Sequence, residues 1–180
     1  MKKDFQPLVT QMNAELEALL ESLSSVPEAT LRQRPSPQEW SVLEILQHIY
    51  IAERASIAYV RKKMQYPHGL KKIGLETRLR SLLLRFFLDA PFKFKAPAVV
   101  AEERFDPSLT LDTLKKEWKR TRQELSTLLE EMPPELAEKN IFKHALAGRL
   151  GLTGMLVFFE GHFRRHRRQI ERTLNKLSAA

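Results

Sequence analysis

The chain has 180 residues, 43% of them hydrophobic, and its 30 Lys and Arg against 22 Asp and Glu leave a formal charge of +8. That length and apolar share bound one globular domain, 1–180, and exclude a chain too polar to bury a core. Without cysteine there can be no disulfide, no thiolate nucleophile and no sulfur-ligated zinc, so a metal would have to take His, carboxylate or water.

The first residues, Met1 to Gln6, carry charges with no apolar stretch behind them, and nothing downstream approaches the roughly 18 apolar residues of a membrane span. A soluble, cytoplasmic protein is expected. Apolar spacings of three and four dominate and strand-like alternation is lacking, so the chain reads as all-α. A first helix is expected from Pro7 to Ser24, with Leu8, Met12, Leu16, Leu19 and Leu23 on one stripe, ending ahead of Pro27. Ser41-Val42-Leu43-Glu44 is a capping box, in which serine and glutamate each satisfy a backbone donor, and it opens a second helix reaching Met64. Residues 66–108 are too many for a turn, and within them Leu75 to Leu88 reads as a basic amphipathic helix ended by Asp89-Ala90-Pro91. A third long helix runs from Thr110 to Met132, with Leu111, Leu114, Trp118, Leu125 and Leu128 inward, and a fourth from after Gly151 to Leu177. Four long helices with one apolar stripe each predict a four-helix bundle, with a long crossover between helices two and three that lets them run parallel.

The positive charge is concentrated. Residues 61–95 hold ten basic and two acidic groups, and residues 139–180 hold nine and two, whereas residues 1–60 and 96–138 are net acidic. A basic face of this kind meets an anionic partner or is simply a solvated helix surface. Arg164, Arg165, Arg167 and Arg168 could contact phosphates, but no recognition-helix signature accompanies them and few aromatics are available for base stacking, so nucleic acid is disfavoured. Leu82, Leu83, Phe86, Phe87, Phe92 and Phe94 offer a peripheral membrane contact, against the alternatives of a bundle cap, a dimer contact or a lid.

The histidines carry the chemistry. His162 and His166 stand four apart and so project from one helix face, on the stripe of Leu152, Met155, Leu156, Phe159, Phe163 and Ile170. His48 shares a stripe with Ile45, Ala52, Ala55 and Tyr59. A buried imidazole must be hydrogen-bonded or ligated; one alone is most simply a satisfied core histidine, but three facing one core suit a divalent ion with open positions. Zn, Ni and Fe are the leading ions, and ligand protonation is expected to weaken binding below about pH 6. Glu53 and Glu160 are candidate bases near the rim, Gln169 and Glu44 candidate partners of the ligands, and His144 a candidate at the rim; His68, beside Pro67 and Gly69, is a loop residue.

These residues resemble a known family. Trp40 to Ile49, with a Trp-Ser start leading to His48, is similar to the second helix of the DinB-like superfamily, and Gly161 to Ile170 to its His-x-x-x-His-x-x-Gln-Ile helix. His144-Ala145-Leu146-Ala147-Gly148 resembles the His-Pro-x-x-Gly approach, with Ala145 where many relatives have Pro, and residues 66–98 look like a variable basic insertion. The resemblance implies a four-helix bundle, often a homodimer, with a three-histidine metal site serving thiol-dependent S-transferases or metal-dependent hydrolases. A small-molecule substrate and a low-molecular-weight thiol cosubstrate, which a cysteine-free chain cannot supply itself, follow from that reading. The alternative is a non-catalytic basic adaptor for an anionic partner or membrane surface.

Overall fold

Each of the long apolar stripes becomes a helix in the computed structural model, which describes residues 4–89 and 102–179. Helix α1 spans Gln6–Ser24 and buries Val9, Met12, Leu16, Leu19, Leu20 and Leu23. A short α2, Glu28–Arg32, follows Pro27 and sets Leu31 into the core. It is absent from the expected elements because a five-residue helix holds too little of the 3.6-residue period to register.

Helix α3, Val42–Gln65, starts on the capping box. The Ser41 hydroxyl accepts from the Glu44 amide at 3.3 Å, and the Glu44 carboxylate accepts from the Ser41 amide at 2.7 Å. Helix α4, Leu75–Asp89, is the crossover helix, while Ala90, Pro91, Phe92 and Phe94 fall outside the described residues. A single 3-10 turn, Glu102–Arg104, leads to α5, Leu111–Glu131, capped by Thr110, whose hydroxyl accepts from the Thr113 amide at 3.2 Å. After the short α6, Pro134–Ala137, comes an antiparallel hairpin of β1, Phe142–His144, and β2, Gly148–Leu150, which pairs Phe142 with Leu150 and His144 with Gly148. The fold is thus mainly helical but not purely so. Three residues per strand are too short to show alternation, and Gly148, at φ 73°, supplies the left-handed turn residue.

Helix α7, Leu152–Ser178, completes the chain. It packs against both α3 and α4, while α3 also packs against α5, and α5 against α1. The core holds Trp118, Leu125 and Leu128 of α5, Ile45, Leu46 and Ile49 of α3 and Phe159 and Phe163 of α7. The crossover is sewn down at its start, where Ile73 donates to Glu138 O at 2.9 Å and Asn140 to Lys71 O at 2.9 Å. Helix α4 then seats Leu84 and Leu88 inward against α7, approaching so closely that a Cβ on Gly161 would stand 2.9 Å from Leu88 Cδ1. Among the described residues no helix is long and apolar enough to cross a membrane.

Candidate metal centre

The α3–α7 packing brings one imidazole from α3 to two from α7. His48 Nε2 lies 3.1 Å from His162 Nε2, and His166 Nε2 lies 3.1 Å from the same atom. One nitrogen of each ring falls within 4.8 Å of the other two. His48 and His162 are 4% and 9% exposed, so water contributes little to their solvation. The spacing of four on α7 aims His162 and His166 along one face, and their ring centroids are 4.5 Å apart.

Protonation is disfavoured at both histidines of α7. Burial holds the His162 imidazole well below the usual histidine range, and His166, His48, His144 and Arg165 add to that. Burial likewise pulls His166 down to about 3, with His48, Arg165 and Arg172 contributing. Gln169 Oε1 sits 2.9 Å from His166 Nδ1. A carbonyl oxygen can only accept, so Nδ1 carries the proton and Nε2 turns its lone pair toward His162. One proton on His162 Nε2 cannot satisfy both of its neighbours, His48 Nε2 and His166 Nε2, because it can be donated to only one of them. A divalent ion can. Two nitrogens 3.1 Å apart, each about 2.05 Å from an ion, subtend roughly 100° at it, between the octahedral and tetrahedral angles. The donor set therefore fits such an ion.

Aromatic rings wall the cluster. Trp40 lies 5.1 Å from His48 and is met edge-on by Phe105 at 5.2 Å. Phe158 stands between His162 at 4.9 Å and His144 at 4.6 Å. Sequence reasoning passed over Phe158 although it sits one turn before His162, and Phe105 carries no local signal at all. His144 is at the end of β1, and its Nδ1 accepts from the Ala147 amide at 3.1 Å and the Leu146 amide at 3.3 Å. Its proton therefore rests on Nε2, and burial lowers its pKa to about 4.

The carboxylates behave differently from expectation. Glu53, a candidate base at the rim, is instead fully buried away from solvent: Arg122 grips it in a bidentate pair at 2.8 and 2.7 Å, and the Trp118 indole donates at 2.8 Å. The five-residue step from His48 turns Glu53 toward α5. Glu44 serves the capping box and pairs with Arg34, which also bonds Glu102, so its oxygens are engaged at the start of α3 and not on His48. Glu160 pairs with Arg164 at 3.4 Å and lines a small cleft with Met12, Glu15 and Arg122. His68 is exposed in the loop after α3.

A family model described as the DinB superfamily matches residues 9–170, a span that includes all four histidines of this region. Searches of the curated proteins and of the solved structures return no match.

Proposed function

The chain belongs to the DinB superfamily, and we propose that it is a metal-dependent enzyme in which His48, His162 and His166 hold one divalent ion, with Zn, Ni and Fe the leading choices. The observation that supports this is the meeting of three buried imidazole nitrogens, two of them on rings that burial keeps neutral. Helices α1, α3, α5 and α7 are read as a four-helix bundle, with α3 and α7 supplying the ligands.

When bound, such an ion lowers the pKa of a ligating water or thiol. The protein's own residues favour the thiol. Hydrolysis calls for a general base, and Glu53, Glu44 and Glu160 are each engaged by an arginine. Gln169 fixes the tautomer and rotation of His166, Trp40 and Phe158 keep water from the flanks, and His144 keeps a proton on the ring edge that the hairpin turn leaves over. We therefore assign a transfer in which a low-molecular-weight thiol attacks an electrophilic small molecule, ahead of the hydrolase reading.

The test begins with metal analysis of protein purified without a nickel-binding tag, followed by a screen of small thiols against electrophiles. His162→Ala should abolish both metal binding and turnover while the helical circular dichroism stays unchanged. Metal-free protein that turns over as fast as loaded protein would overturn the proposal.

A further inference from the structure

Glu53 and Arg122 meet among the long helices, and nothing in the proposed chemistry uses them. Their side chains are 0% and 5% exposed, so neither is placed to touch a substrate. The cluster they form nonetheless reaches α1, α3, α5 and α7. Glu53 stands on α3, Arg122 and Trp118 on α5, and Asn13 of α1 accepts from Arg122 Nη1 at 3.4 Å. On its other side Arg122 lines a small cleft with Phe159, Glu160 and Phe163 of α7, and Phe163 directly follows His162.

Stability does not account for the pair. Removing two charges from water offsets most of their attraction, and apolar side chains of similar volume hold a core as well or better. What an apolar core does not supply is a single register. Leucine and isoleucine stripes pack acceptably in neighbouring rotations and offsets, whereas a bidentate pair closes in one. Two further polar links between α3 and α5, Tyr50 with Glu117 at 3.5 Å and Arg61 with Glu131 at 3.7 Å, are longer and less buried. The three-histidine centre needs that single register, because its nitrogens come from two helices and must each sit within about 0.2 Å of the metal–ligand distance. Glu53 lies five residues, about 7.5 Å along the axis, from His48, so α3 carries any shift at one directly to the other.

We propose that Glu53 and Arg122 are positioning residues for the metal centre, their buried pair fixing the offset and rotation of α3 so that His48 meets His162 and His166. The inference rests on the metal reading of the three histidines. It is tested by chelator competition for zinc at pH 7 alongside urea unfolding of the metal-free protein. Glu53→Met with Arg122→Met should unfold near the wild-type urea concentration yet bind zinc at least about tenfold more weakly, the lower end of what disturbing a ligand's orientation costs. Leu128→Ala, which opens a cavity six residues beyond Arg122 on α5, should do the reverse, unfolding at lower urea while binding zinc within about twofold of wild type. Arg122→Lys keeps a cation beside Glu53 but gives up the two-point grip, so it should weaken zinc binding too, and it decides the question if the double variant does not fold. Wild-type affinity in the folded double variant or in Arg122→Lys, or an equal loss in Leu128→Ala, would overturn the proposal and leave the metal reading intact. A wild type that takes up no zinc would overturn both.

Discussion

Lowering the pH separates a buried histidine site from an exposed one. An imidazole near its ordinary value of 6.5 must be deprotonated to bind an ion, and between pH 7 and pH 5 that requirement weakens binding about 25-fold. Three such ligands together would cost on the order of 10⁴-fold. Burial changes the arithmetic. His166 is held at about 3 and His162 also lies well below 6.5, so both remain neutral with or without the ion. Their share of the loss disappears, so the fall between pH 7 and pH 5 should stay far short of ~10⁴-fold. The fall in affinity below about pH 6 expected from free imidazoles is shallower for rings already held neutral by burial. The protons act on the fold instead. A group whose folded pKa lies below its unfolded one stabilises the protein fully above the unfolded value, and that stability is lost as pH falls below 6.5. At pH 5 each of the two imidazoles should cost up to about 2 kcal/mol of metal-free stability. Competition between the protein and a chelator for zinc at pH 7, 6 and 5, with urea unfolding of the metal-free protein at each pH, measures both quantities. An affinity loss near 10⁴-fold with stability unchanged would refute the reasoning.

Other perturbations give equally definite outcomes. Arg122→Met should cost about 3–5 kcal/mol in urea unfolding by leaving Glu53 buried without its partner, and adding Glu53→Met should restore most of it. Gln169→Leu should reduce metal affinity by about 10- to 100-fold in the same chelator competition, because His166 loses the acceptor that fixes its tautomer. Gly161→Val should destabilise by about 1–3 kcal/mol, since its side chain would drive into Leu88 and push α4 off α7.

Local features were legible in the sequence and distant pairings were not. The Ser41 cap and the four apolar stripes sit within a few residues of one another, and their helices begin and end within a residue or two of the expected positions. The four-residue step from His162 to His166 likewise places both rings on one face whatever surrounds them. Glu53 was misread for the opposite reason. Its partner, Arg122, lies 69 positions away, and nothing near Glu53 distinguishes a buried, paired carboxylate from a solvated one. The outward side of α4 was left open by the same limit, because a periodic pattern shows that Leu82 and Phe86 share a side but not whether that side meets protein or solvent.

The side chain of Gln47, one residue before His48, accepts from the Asp106 amide at 2.8 Å and donates to the Asp106 carbonyl at 3.0 Å. Asp106 adjoins Phe105, whose ring closes on Trp40 beside the cluster. The returning chain is therefore clamped to α3 one residue after the ring that closes the site wall. Changes of length anywhere between α4 and that clamp are absorbed upstream of it, and the added loop closes at a cost that grows only with the logarithm of its length. The stretch between α4 and the clamp is thus free to differ in length while the aromatic wall around His48 keeps its place.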